Sequence, residues 1–252
     1  MSLAAVAATA TVDRAEQLAV QHILGNFRNY YVFHPPSART ALLPEGLFRS
    51  QWESYRPPLF TILDVGCNEG DLTMEVYDLA RRELPQDVRV VVRGVDIDDV
   101  LIGRASTKFQ SRVHPGDDVQ FFTGDFTRPT SELSDLLTPF PDFNFISAYS
   151  TTMWVHLNGG TEGLKAFLDS MRQLTSKSGT LLVEPQDKKS YKTAAKRLRK
   201  MGIVSPHKAI STQDIDGLGP TITTLLGPHF ESFRSLGNES WGRTLWLFES
   251  KR

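Results

Sequence analysis

The sequence predicts an α/β fold, a mostly parallel sheet covered by helices and closed by an antiparallel hairpin. Two observations carry this expectation. Short apolar runs alternate with helix-period segments from about residue 60 onward, and near the C-terminus two extended apolar segments follow one another with no helix between them. With 252 residues, 40% hydrophobic and 23% charged, the chain has the composition of an ordinary globule with material for a sizeable core.

Taken in order, residues 60–65 form an apolar run ended by glycine, the first strand. Residues 71–83 place Leu72, Val76, Leu79 and Ala80 at helical spacing. Residues 88–95 are a second strand, 100–109 a helix, 119–122 a third strand, 131–137 one or two helical turns, and 143–149 a fourth strand. A helix over 161–174, with Glu162 in its first turn and Gly179 beyond it, leads to a fifth strand at 180–183. Residues 229–236 and 243–250 form the hairpin, joined by Gly237-Asn238-Glu239-Ser240. Seven strands in this arrangement outline a Rossmann-like class I methyltransferase, because dinucleotide-binding domains keep the sixth strand parallel. Residues 1–22 are expected to be a flexible tail, and 23–252 a single domain. The aromatic and proline-rich stretch 23–59, with Tyr30, Tyr31, Phe33, Pro35 and Pro36, is expected to act as a lid across the site.

The formal charge is −1, so the whole protein is no polycation for nucleic acid, and any anion-binding surface is local. The single cysteine, Cys67, excludes an intrachain disulfide and any cluster of thiolates, which fits a reducing compartment. No apolar run reaches the roughly 18 residues of a membrane helix.

Five candidate site blocks follow strands. Ile62-Leu63-Asp64-Val65-Gly66-Cys67-Asn68-Glu69-Gly70 is a strand entering a glycine turn and then a helix, at the edge where open α/β sheets bind ligands. Its Gly-x-x-x-Gly spacing differs from the pyrophosphate-binding pattern. Asp96, in Gly94-Val95-Asp96-Ile97-Asp98, stands where a carboxylate accepts both hydroxyls of an adenosine ribose; the plain alternative for this acidic cluster is a helix cap, a part Asp98 or Asp99 can take. Gly124-Asp125-Phe126 is placed for an adenine, with the carboxylate on its amino group and the ring packed against it. After the fourth strand, Trp154, His156 and Asn158 gather beside the hydroxyls Ser150, Thr151 and Thr152, and Glu184-Pro185-Gln186 shares that edge after the fifth.

The segment 187–200 carries seven cations and one acid, a local charge of +6 against −7 for the rest. Lys188, Lys192, Lys196 and Arg199 recur at helical spacing and make a basic stripe suited to an RNA backbone, although a charged run is most often a solvated helix face.

Several blocks together resemble the Bicoid-interacting RNA methyltransferase family. They are Leu63-Asp64-Val65-Gly66-Cys67-Asn68-x-Gly70, Thr152-Met153-Trp154-Val155-His156-Leu157-Asn158 and Val183-Glu184-Pro185-Gln186. Gly25-Asn26-Phe27, Phe33-His34-Pro35-Pro36, Leu42-Leu43-Pro44, Tyr191, Ala194-Ala195-Lys196-Arg197-Leu198-Arg199-Lys200 and Gly237-Asn238-x-Ser240-Trp241 resemble its 5′-monophosphate branch more than its capping branch. Where the family has Pro-Trp after Glu-Pro-Gln, this chain has Asp187-Lys188. The resemblance implies S-adenosylmethionine as cofactor, held by Arg39, Asp64, Gly66, Asn68, Asp96, Ile97, Asp125, Phe126 and Met153. It implies as substrate the 5′-monophosphate of a small RNA of the pre-microRNA or tRNA class. Expected on the RNA side are Tyr30, Tyr31, Glu184, Gln186, Lys188, Lys192, Lys196, Arg197 and Arg199. His156 and Asn158, with Arg39 and the start of the basic stripe, are expected to position the phosphate, with no general base and no metal. A phosphate monoester loses its second proton near pH 6, so it is already nucleophilic at neutral pH.

The expected state is a monomer without membrane attachment, in the cytoplasm and with the nucleus left open. Three alternatives stand beside this reading: capping of a γ-phosphate on a 5′-triphosphate RNA, a non-catalytic RNA-binding protein that retains the cofactor fold, and a methyltransferase for a small molecule or protein.

Overall fold

The computed structural model describes residues 30–126, 137, 140, 142–200, 202, 218–238 and 241–251. The tail, the Gly25-Asn26-Phe27 block and most of the helical turn expected at 131–137 lie outside them.

Among the described residues the order is α1 (Tyr30–Phe33), α2 (Pro36–Thr40), α3 (Leu47–Tyr55), β1 (Leu59–Val65), α4 (Asp71–Glu83), β2 (Arg89–Asp96), α5 (Asp99–Phe109), β3 (Asp118–Thr123) and β4 (Phe143–Tyr149). There follow α6 (Thr152–Leu174), β5 (Thr175–Glu184), α7 (Lys188–Lys200), α8 (Leu218–Leu226), a 3-10 turn (Gly227–His229), β6 (Ser232–Asn238) and β7 (Thr244–Glu249). The strands form one seven-stranded sheet in the order β3-β2-β1-β4-β5-β7-β6, parallel through β5 and antiparallel at β7 and β6. This is the expected class I methyltransferase topology.

Alternation along each strand sorts side chains onto two faces. Leu63, Val65, Ile146, Ala148, Leu181 and Val183 pack on one face with Phe167 and Met171 of α6, Tyr191 of α7 and Ile222 of α8. Phe60, Ile62, Val90, Val92, Phe145 and Leu182 pack on the other with Phe48 of α3 and Met74 and Tyr77 of α4. The strands are apolar at consecutive positions because both faces are covered.

The chief local difference from expectation is α6. Its helix begins at Thr152 rather than at 161 and turns through Gly160 (φ 64°, ψ −168°), so the Trp-Val-His-Leu-Asn block is helical. Sequence periodicity missed this first segment because Gly159 and Gly160 interrupt the pattern.

Register aligns the strand ends. Asp96 pairs with Thr123 and Tyr149 with Glu184, which brings the residues that follow β1, β2, β3, β4 and β5 to one edge. In the antiparallel partner Val183 faces Trp246, so the residues before β7 reach that same edge.

Candidate active site

A cavity of about 380 Å³ opens at this edge. Its floor is the turn after β1. Gly66 takes φ +80° and its amide donates to Val95 O (2.7 Å), and a Cβ there would strike Thr151 Oγ1. Only glycine fits. Asn68 also adopts a left-handed conformation (φ 54°), and its N–H donates to Asp96 Oδ2 (2.9 Å).

Asp96 Oδ1 accepts from the N–H of Asp98 (3.0 Å), while Asp98 caps α5 through the amides of Val100 and Leu101. The structure thereby separates the cap from the cavity acid: Asp98 caps and Asp96 lines the space. Burial raises the Asp96 pKa, partly offset by the Asp98 and Asn68 amides. The Ile97 amide also bonds this carboxylate, whose two oxygens together offer about four acceptor sites. Ile97, Gly124, Asp125, Phe126 and Met153 also line the cavity. Asp64 lines it as well, but its oxygens accept from Thr73 Oγ1 (2.6 Å) and Ser147 Oγ (2.8 Å), so it ties β1 to α4 and β4 and holds the turn from beneath.

The opposite wall is made of charge. Arg39 and Glu184, both with side chains 0% exposed, form a two-pronged ion pair, Nε to Oε2 and Nη2 to Oε1 (3.0 Å). Arg243 Nη1 joins the same carboxylate at 3.2 Å and Ser150 Oγ at 2.5 Å. Tyr30 reaches over them, donating to Ser150 Oγ (3.0 Å) and accepting from Arg39 Nη2 (2.6 Å). Tyr31 donates to Cys67 O (3.2 Å). His34 and Trp241 meet edge-on with ring centres 4.6 Å apart, and the Arg39 guanidinium lies 5.0 Å from the Trp241 ring. Arg39 Nη1, His34 Nδ1 and Trp241 Nε1 are buried without a hydrogen-bond partner among the described residues. Polar nitrogens of this kind, beside a cavity, are completed by a ligand or water.

Several expected roles change. His156 is 2% exposed and does not line the cavity; its Nδ1 stands 3.0 Å from the Tyr191 hydroxyl, joining α6 to α7. Asn158 Nδ2 donates back to Trp154 O (2.7 Å) and does not line the cavity either. On this helix it is Met153, Trp154 and Val155 that line the cavity, while His156 is taken up by its contact with Tyr191. Glu184, expected on the RNA, is instead the buried counter-ion of two arginines. Gln186 lines the cavity, yet its Oε1 accepts from the Met153 amide (2.9 Å) and its Nε2 donates to Ser150 O, bracing the start of α6. Along α7 the rim is formed by Lys189, Ser190, Thr193 and Arg197, whereas Lys188, Lys192, Lys196 and Arg199 do not line the cavity, and the last three are exposed on its outer face. Of the expected lid, Tyr30, Tyr31, His34 and Arg39 reach the cavity, and Phe48 packs into the core below the sheet.

Arg243 and Trp241 were missed as side chains of the site. The signal lay in the predicted hairpin, since antiparallel pairing carries the residues before β7 to the carboxyl end of β5.

A profile of the family described as Bicoid-interacting protein 3 (Bin3) matches residues 143–250. A pre-miRNA 5′-monophosphate methyltransferase of Xenopus laevis is 37% identical over 243 residues, covering 90% of this chain and 92% of its own. The chain belongs to the Bin3 family. A second relative, the RNA 5′-monophosphate methyltransferase of Homo sapiens, is 37% identical over 90% of this Bin3 chain and 80% of its own. In fold, the Bin3 chain is similar to the N-methyltransferase NodS from Bradyrhizobium japonicum WM9, solved with S-adenosyl-L-homocysteine. That likeness has a TM-score of 0.55 and 15% identity, over 93% of this chain and 98% of NodS. Among the described residues no group of three His, Cys, Asp or Glu side chains is placed to hold a metal, and no helix is long and apolar enough to cross a membrane.

Proposed function

We propose that this protein transfers a methyl group from S-adenosylmethionine to the 5′-monophosphate of an RNA. The observation that carries the reading is one cavity with two chemically distinct walls: Asp96 with its glycine turn on one side, and Arg39, Arg243, Lys189 and Arg197 on the other. The two relatives at 37% identity, both 5′-monophosphate methyltransferases by name, supply the substrate class.

When bound, S-adenosylmethionine supplies an electrophilic methyl on sulfur. Asp96 orients the ribose by accepting its hydroxyls, and Phe126 and Met153 wall the adenosine region. Tyr30 and Tyr31 cover the space and restrict water. The cations draw in the RNA end and hold a phosphate oxygen in line with the methyl group, an orientation effect worth on the order of 7 kcal/mol. No side chain has to remove a proton, because the terminal phosphate is already largely dianionic at neutral pH. Proton removal is equally absent from the work of His156, which stands outside the cavity.

The test is methyl transfer from labelled S-adenosylmethionine to one RNA bearing a 5′-monophosphate, a 5′-triphosphate or, after phosphatase, a 5′-hydroxyl. Label is expected on the monophosphate alone, with the rate falling below about pH 6 as the phosphate gains its second proton. Equal labelling of phosphatase-treated RNA defeats the proposal, and a preference for triphosphate transfers it to γ-phosphate capping.

A further inference from the structure

We infer that Arg243 is the residue that recognises the terminal phosphate and so sets the preference for a phosphorylated RNA end; the inference rests on the proposed reaction. The reaction demands that two anions be held at once, the carboxylate of the cofactor's methionine part and the phosphate of the RNA. Two guanidiniums, Arg39 and Arg243, face one carboxylate, Glu184, so the cluster carries one positive charge in excess. His34 does not change that balance, since burial and the two arginines lower its pKa and keep it neutral. Asp187 lies at the same rim, takes the Ser190 N–H (2.8 Å) and stands near both Arg243 and Lys189; counted with the Lys189 ammonium it leaves the excess of one positive charge unchanged. The excess charge invites an anion.

Position decides which arginine meets which anion. The Arg39 side chain is wholly buried and has both its Nε and Nη2 on Glu184. Arg243 is 15% exposed, so of the two it is the one a large ligand can reach from solvent. It engages Glu184 through Nη1 only; Nη2 makes a single long bond to Ser190 Oγ (3.4 Å), and Nε has no partner among the described residues. A guanidinium anchored through Nη1, with Nη2 on one long bond and Nε open, matches the paired oxygens of a phosphate. Ser190, from the first turn of α7, stands beside those donors to share the load.

The experiment compares binding and methylation of one RNA with a 5′-phosphate and with a 5′-hydroxyl, using the full chain and the variants Arg243→Gln, Arg243→Lys and Ser190→Ala. S-adenosylhomocysteine titration reports whether each variant is folded. Loss of a charge-assisted contact corresponds to about 10- to 100-fold. Arg243→Gln is expected to raise KM for the phosphorylated RNA at least tenfold and to abolish the binding preference for a 5′-phosphate, with cofactor affinity within about threefold of wild type. Arg243→Lys, which keeps the charge and loses the fork, is expected to fall between, and Ser190→Ala to weaken the preference a few-fold. Where Arg243→Gln does not fold, Arg243→Lys decides. Wild-type protein that binds both ends alike overturns the proposed reaction and this inference with it. A wild type that discriminates, alongside folded Arg243 variants that discriminate equally well, overturns this inference alone.

Discussion

The adenosine wall and the anion wall of the cavity are assembled over different distances along the chain. On the first, the Asn68 amide meets Asp96 across 28 positions, the one in the turn after β1 and the other at the end of the adjacent β2. On the second, Glu184 gathers Arg39 from 145 positions away and Arg243 from 59, with Tyr30 reaching Ser150 across 120. The first wall is backbone geometry, a glycine turn and amides with one carboxylate. The second is a buried charge cluster whose members come from the N-terminal helices, the turn after β4, β5 and the approach to β7. A ligand contour common to many proteins can be made locally, whereas excess charge in low dielectric needs several segments to hold it.

The largest expected effect separates the two walls by stability. Glu184→Gln leaves Arg39 and Arg243 without their shared counter-ion and is expected to destabilise the fold by about 3 to 5 kcal/mol, the range for breaking a buried pair. Urea unfolding measures it, and a loss below about 1 kcal/mol would mean the cluster is not held by that carboxylate.

Asp96→Ala is expected to act on the ligand and not on the fold. Removing charge-assisted hydrogen bonds of about 1.5 to 3 kcal/mol each lowers affinity for S-adenosylhomocysteine a hundredfold or more. Calorimetric titration of a variant with unchanged melting temperature checks this. Because burial raises the Asp96 pKa, wild-type affinity is also expected to weaken on acidification at a higher pH than an exposed aspartate would cause, since only the ionised form accepts both hydroxyls.

A third substitution asks how far the anion wall extends. Lys192, Lys196 and Arg199 lie on the outer face of α7, so changing all three to Glu tests whether RNA continues past the rim. If it does, the slope of log K against log salt falls by about 0.7 for each single-strand phosphate contact removed, at unchanged cofactor affinity. An unaltered slope confines RNA recognition to the cavity mouth.

The smallest effect on function is expected at His156. Replacing it with Phe, which keeps the ring volume and removes the contact to Tyr191, should cost about 1 to 2 kcal/mol of stability while the 5′-phosphate preference persists. Loss of that preference in a folded variant would return His156 to the phosphate.

These outcomes bear on what could be read before the fold was known. Residues 71–83 were legible to the residue as a helix, and the strand endings at Gly66, Asp96 and Gly124 were legible as one edge of the sheet, where they line the cavity, because both depend on period and on the order of neighbouring elements. The stripe at Lys188, Lys192, Lys196 and Arg199 was legible as a helix face, but periodicity says only that four residues share a side, not where that side points. Packing decided it. Tyr191, Ala194 and Leu198 had to be buried, and their burial leaves Lys189 and Arg197, not the stripe, at the rim. His156 went the same way, since a helix begun at Thr152 turns it onto Tyr191.

By itself, then, the sequence determined the alternation of strands and helices, the antiparallel finish, the glycine turn and the acid that faces it, all of them local or nearest-neighbour properties. Only the tertiary structure decided that Glu184 is a counter-ion and that Arg39 and Arg243 meet on it. The physical reason is that a buried charge takes its meaning from whatever surrounds it in three dimensions, and here those surroundings arrive from both ends of the described chain.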